Sequence, residues 1–234
     1  MQGMKRCKTH LVRTCVFLLA AVPAYCQRGT FGIDMGQSSD KFDSLPSVSG
    51  FIVGIDGQIT VLKETPKRPS IVAGGEIRLP SDTGNHAREY AVFGGPHFRL
   101  HDFSIGFNAQ VRKIVLPTAN VDNQFFNRYS LNVLEVPVVI KYNFLSSKRA
   151  FIEAQGAPEF TPHYKKSSSL IFLPHPNWDH GYFLRGTVGY SFGFWYVKAS
   201  YENRYFKFNN DPENPNGLYN WKSNLISGGV GFSF

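Results

Sequence analysis

The sequence predicts an all-β, antiparallel up-and-down transmembrane β-barrel of ten strands behind a cleaved signal peptide. Three observations predict it. A basic, then apolar leader opens the chain. Behind it, apolar residues recur at every second position through ten successive segments. The chain then stops on such a segment, SNLISGGVGFSF, with no polar tail.

Residues 1–26 read as the signal peptide and 27–234 as the barrel domain. Lys5, Arg6, Lys8 and Arg13 form a basic n-region, and CVFLLAAVPA forms an apolar stretch too short to cross a bilayer as a helix. Ala24 and Cys26 suit the −3 and −1 positions of a cut before Gln27, and a cut after Ala24 is also compatible. Bulky Tyr25 argues against lipidation at Cys26. Cys7, Cys15 and Cys26 all leave with the leader, so the mature chain is expected to carry no disulfide. The net charge of +8 halves, because four of the 25 basic residues and none of the 17 acidic ones go with the leader. The charge that remains is scattered, which argues against a nucleic-acid partner.

The strands follow in order. Phe31, Ile33 and Met35 mark the first. Phe51, Val53, Ile55, Ile59 and Val61 mark the second, and Ile71, Ala73, Ile77 and Leu79 the third. Tyr90, Val92, Phe98 and Leu100 give the fourth, and Phe103, Ile105, Phe107 and Val111 the fifth. Leu134, Val136, Val138, Ile140, Tyr142 and Phe144 give the sixth, Ile152 and Ala154 the seventh. Tyr182, Leu184, Val188, Tyr190 and Phe192 give the eighth, Trp195, Val197 and Tyr201 the ninth. Ile226, Val230, Phe232 and Phe234 close the set. Most segments match the ~9–11 residues of a tilted membrane strand. Short joins at LHD, SSK and Gly193 alternate with long ones at 38–49, 80–88, 116–130, 161–180 and 208–222. Short turns on one side and long loops on the other are the habit of outer-membrane barrels. The last strand closes the barrel, so Ile226, Val230, Phe232 and Phe234 are expected to serve as the signal read by the barrel-assembly machinery.

A soluble barrel would alternate too, but with charge outside. Here the second parity carries Asp34, Asp56, Glu76, Arg78, Arg99, Arg112, Glu135, Lys141, Glu153, Glu159, Arg185, Lys198, Glu202 and Arg204, seven acids against seven bases. His97, Asn108, Gln58, Gln110 and Gln155 share that parity. In a narrow barrel these side chains fill the lumen. Balanced signs predict mutual pairing, whereas a selective pore would show one sign in excess. Glu76 with Arg78, and Glu202 with Arg204, share a strand face and are expected to pair.

SLNVLEVPVVIKYNF followed by AFIEAQGAPEF resembles a hairpin of the small outer-membrane β-barrel domain family of diderm bacteria, the PorT-like and OmpA-like porin-family barrels. Leu134, Glu135, Val136 and Pro137 match its first strand, and Phe151, Ile152, Glu153, Ala154 and Gly156 its second. TFGIDMG, GYFLRGTVGYSF and GGVGFSF are similar to its first and last strands. The resemblance implies an outer-membrane barrel without shared catalytic residues or cofactor, often of eight strands. Eight is therefore the alternative to ten.

Enzyme chemistry finds little support. Asp82 with His86, and Asp179 with His180, lack the Asp-x-Asp and Asp-x-His spacing of omptin-type hydrolases. His163, His175 and His180 lack the accompaniment of a metal centre, and no metal is expected. The long loops are more suggestive: Phe125, Phe126 and Tyr129 in one, and Ile171, Phe172 and Trp178 in another, are candidate interaction residues. The expectation is a non-enzymatic, monomeric barrel in outer-membrane lipid. It would have a structural or surface-interaction role through its loops, with an extracellular or periplasmic protein as partner. A small porin-like channel is the alternative, and a loop-based omptin-like hydrolase ranks below both.

Overall fold

The computed structural model describes residues 28–42, 47–65, 68–81, 87–115, 120–121, 124–125, 129–144, 149–166, 179–207 and 220–234. Ten antiparallel strands form a closed barrel. They are β1 (Gly29–Phe42), β2 (Val48–Leu62), β3 (Ser70–Pro80) and β4 (Arg88–Leu100). β5 runs as Phe103–Phe107 and Ala109–Val115, and β6 as Tyr129–Glu135 and Val138–Phe144. β7 (Ala150–Lys166), β8 (Asp179–Phe192), β9 (Trp195–Lys207) and β10 (Asn220–Ser233) complete it. Each strand pairs with its chain neighbours. β1 and β10 then pair with each other from Thr30↔Ser233 to Phe42↔Trp221, so no edge is left open. The eight-strand alternative is thereby excluded.

β5 and β6 are each interrupted once, for a single reason. Pro137 has no N–H to give β5. Asn108 still donates to the Pro137 carbonyl at 3.0 Å, and the pairing runs on in the same register on both sides, as Phe107↔Val138 and Gln110↔Glu135. A one-residue shift does occur on β7 between Phe160 and His163. Two hairpins turn in two residues. One places His101 at φ 57° and the other Gly193 at φ 71°, in the left-handed region such turns demand.

Several strands outrun the apolar alternation that betrays them. β1 continues to Phe42 and β2 begins at Val48, so the join expected at 38–49 is much shorter. β7 reaches Lys166 and β8 starts at Asp179, which trims the 161–180 loop in the same way. Beyond its apolar stretch β1 carries polar residues outward, at Gln37, Ser39 and Lys41, so alternation fades while pairing persists.

The barrel is inside-out relative to a soluble protein. Met35, Val92, Val188, Leu184 and Ile226 point outward and are each more than half exposed. A contiguous apolar surface of this size is untenable in water and suits lipid. At the short-turn end the outward aromatics touch around the rim: Phe31 with Phe232, Trp195 with Phe232, Phe103 with Tyr142 and Tyr190 with Phe192, at centroid distances of 4.5–5.8 Å. Two glycines of β10, Gly229 and Gly231, lie on the inward parity where the wall is crowded. A Cβ at Gly231 would collide with the Tyr196 ring, and one at Gly229 with the Asp34 carboxylate.

Candidate functional site

The interior is the most chemically distinctive part of the molecule. Each strand's inward parity places side chains into a narrow lumen. On β3, Glu76 and Arg78 are buried. On β4 it is Glu89, on β5 Arg112, on β6 Glu135, on β7 Glu159, and on β9 Glu202 and Arg204. Arg185 of β8 is nearly so, its side chain 18% exposed.

These charges form one continuous network across the barrel. Arg78 holds Glu202 with two parallel hydrogen bonds of 2.7 and 2.8 Å, and also reaches Glu76 at 2.7 Å. Arg185 spans Glu76 at 3.0 Å and Glu202 at 2.7 Å. Arg112 contacts Glu89 at 2.7 Å, Glu135 at 3.0 Å and Glu76 at 3.3 Å. Arg204 lies 2.8 Å from Glu89 and 2.9 Å from Glu159, in ion-pair contact rather than well-angled hydrogen bonds. Glu135 and Glu159 stand opposite each other across β6 and β7, and Arg112 and Arg204 take one each. Isolated, any of these charges would be prohibitively costly to bury, so the bidentate and bridging geometry is what makes the buried network tenable.

The expected same-strand pairs do form, Glu76 with Arg78 at 2.7 Å and Glu202 with Arg204 at 3.5 Å. The cross-barrel contacts dominate, however. Arg78–Glu202 and Arg185–Glu76 join residues 124 and 109 apart in the chain. A second cluster lies toward the short-turn end, where Lys198 binds Asp34 at 3.1 Å and Asp56 at 2.6 Å. Lys141 is 3.9 Å from Glu153 and rests over the Phe151 ring at 4.0 Å. Arg99 joins neither cluster. It is exposed at the short-turn end, its N–H on Glu64 at 3.1 Å and its Nε on the His101 carbonyl.

Two features of this interior escaped the sequence reading. Glu89 is buried on the lumen parity of β4 and ties Arg112 to Arg204; it directly precedes outward Tyr90, so the alternation that gives His97 and Arg99 this parity reaches it as well. An apolar layer also lies inside. Phe183, Phe206, Trp221, Ile114 and Val133 are completely buried, and the Phe183 ring lies within 6.0 Å of the guanidinium carbons of Arg112, Arg185 and Arg204. Trp221 donates its indole N–H to Asp40 at 3.2 Å. With Ile52 on β2, Asp40 on β1 and Leu225 on β10, every strand contributes a buried inward side chain at or near this level.

Below the plug the lumen widens into a vestibule of 310 Å³ on the short-turn side, with Asp34, Asp56, Lys198, Gln110 and Tyr196 in its wall. Among the described residues no group of three or more His, Cys, Asp or Glu is arranged to hold a metal. Asp179 pairs with Thr161, and His180 with Phe160, at the start of β8. His163 lies on β7, Phe125 in a two-residue strand paired with Asn120–Val121, and Tyr129 at the start of β6. The leader, Asp82, His86, Phe126, Ile171, Phe172, His175 and Trp178 lie outside the described residues.

No family model and no curated protein matches the chain. Solved structures do resemble it. Neisserial surface protein A shares 12% identity over 88% of this chain and 97% of its own, with a TM-score of 0.44. The outer membrane protease OmpT from Escherichia coli shares 12% over 89% and 97%, with a TM-score of 0.43. Ail, the attachment invasion locus protein of Yersinia pestis, shares 10% over 88% and 98%, with a TM-score of 0.31. The likeness concerns the fold alone.

Proposed function

We propose that the chain is a non-conducting outer-membrane barrel whose role is structural or surface-directed, exercised through its long loops. The observation that carries this is the plug: every strand supplies a buried inward side chain at or near one level, and the charges there are spent on one another. A pore needs a continuous water column lined by groups free to meet a solute. In this reading the short turns face the periplasm, the signal peptide delivers the chain there, and Ile226, Val230, Phe232 and Phe234 present the closing strand to the assembly machinery. The barrel is a monomer without cofactor or catalytic residues. Membership of the small outer-membrane barrel family fits the quoted hairpin, whose two strands pair as Val138↔Gly156 through Phe144↔Ala150.

The channel reading has one observation in its favour, the vestibule that enters the lumen from the short-turn side. A planar bilayer separates the two. The refolded mature chain, its folding verified by heat-dependent gel mobility, is expected to leave the bilayer silent. Steady openings whose size changes when Arg112 or Glu153 is neutralised would make it a pore and end the plugged reading.

A further inference from the structure

The charges on the outer wall are as one-sided as those of the lumen are balanced. Every strand carboxylate with a described side chain lies on the lumen parity, from Asp34 on β1 to Glu202 on β9. Among residues with described side chains, the charged ones on the outward parity are all cations, and they stand at the long-loop end: Lys41, Arg88, Lys113, Lys207 and Lys222. They are most crowded where β8, β9, β10 and β1 meet. Lys41 is directly opposite Lys222, Lys222 is opposite Tyr205, and Lys207 is opposite His180. All four basic side chains are exposed. Like charges directly opposite on neighbouring strands repel. Among the described residues none of Lys41, Lys207 and Lys222 has an acidic partner; Lys222 has only the Tyr205 ring, 5.6 Å away.

Their height is defined by the strands. Ten residues separate Phe31 from Lys41, Phe232 from Lys222, and Trp195 from Tyr205. Each span is about 34 Å along the strand, or about 24–28 Å along the barrel axis at a tilt of ~35–45°, against an apolar band ~25 Å tall. The lysines therefore stand where the apolar band ends and lipid headgroups begin. One rung below them the wall is already polar: Asn224 accepts from Tyr201 at 3.0 Å and from Asn203 at 2.8 Å.

We propose that Lys41, Lys207 and Lys222, with His180 beside them, form a docking patch for the phosphorylated headgroup of an anionic lipid in the surface leaflet. The inference rests on the outer-membrane reading above and adds a ligand class to it. A phosphate group bridging Lys41 and Lys222 would turn a repulsive pair into an attractive cluster, and the tyrosine and asparagine rung would meet the polar boundary beneath it. The patch also explains why the wall bears cations at one end only, since a headgroup layer of fixed sign offers nothing to carboxylates.

The test uses the refolded chain in phosphatidylcholine vesicles, with trace spin-labelled phosphatidic acid or spin-labelled phosphatidylcholine as probe. Phosphatidic acid is expected to be enriched in the lipid shell by about fivefold or more, as one lysine alone near an anionic surface supplies. The enrichment should shrink as salt is raised. The triple variant K41Q/K207Q/K222Q should lose it, the triple Lys→Arg variant should keep it, and Lys113→Gln should leave it unchanged. No enrichment in the parent, or enrichment that survives the triple Gln change, overturns the proposal. So does equal sensitivity to Lys113→Gln, which would mean a diffuse ring of charge rather than a patch. A chain that shows no heat-dependent gel shift, or washes off the vesicles at high pH, would instead overturn the membrane reading itself.

Discussion

Arg204→Met is expected to destabilise the barrel by about 3–5 kcal/mol, the cost of breaking a buried ion pair from one side. Arg204 is fully buried and neutralises Glu89 at 2.8 Å, Glu159 at 2.9 Å and, more distantly, Glu202 at 3.5 Å. Methionine fills comparable space but leaves Glu159 without a cation. Glu89 fares better, since Arg112 holds it at 2.7 Å. The double variant R204M/E159Q should therefore recover much of the loss, while R204M/E89Q should recover less. Urea unfolding of the refolded protein in vesicles measures all three. A single variant within about 0.5 kcal/mol of the parent, the range of an ordinary surface change, would mean that water reaches Arg204 and that the plug is not dry.

Reading the network from sequence was possible only in part, and the reason is geometric. Alternation reveals which side of the wall a residue faces, because the side-chain period of a strand is two. That suffices to put Glu76, Arg112, Arg185 and Glu202 into the lumen, and the outward apolar parity gives all ten strands. It says nothing about height or about which strands face each other across the barrel. Lys198 and Asp56 are 142 residues apart in the chain, and no local pattern announces their 2.6 Å contact. Arg99 shows the same limit: its parity is that of the lumen, but it stands past the end of the lumen, where the chain is about to turn. The apolar layer was invisible for a different reason. Phe183, Phe206 and Trp221 occupy the polar parity of their strands, where a large apolar residue looks like a lapse in the pattern. The Phe183 ring beside Arg112, Arg185 and Arg204 lowers the local dielectric, which strengthens their pairing.

The outer face permits an equally sharp test, because the same substitution should have different costs at different heights. Val188 points outward on β8, four residues beyond Phe192 in the aromatic rim. That offset is about 13 Å along the strand and about 10 Å along the axis, close to the middle of a band ~25 Å tall. Val188→Arg should therefore cost about 2–4 kcal/mol, whereas Ser39→Arg, on the polar rung near the long-loop end, should cost about 0–1 kcal/mol. In a water-soluble barrel both positions would be ordinary exposed sites, and the two changes would each stay within about 0.5 kcal/mol. Unfolding free energies in vesicles decide between the two cases. A steep difference between the two sites places the band as the aromatic rim and the lysines of β1, β9 and β10 delimit it. Equal and small costs would remove lipid from the outer wall, and with it the reason for the exposed leucines, valines and isoleucines that cover it.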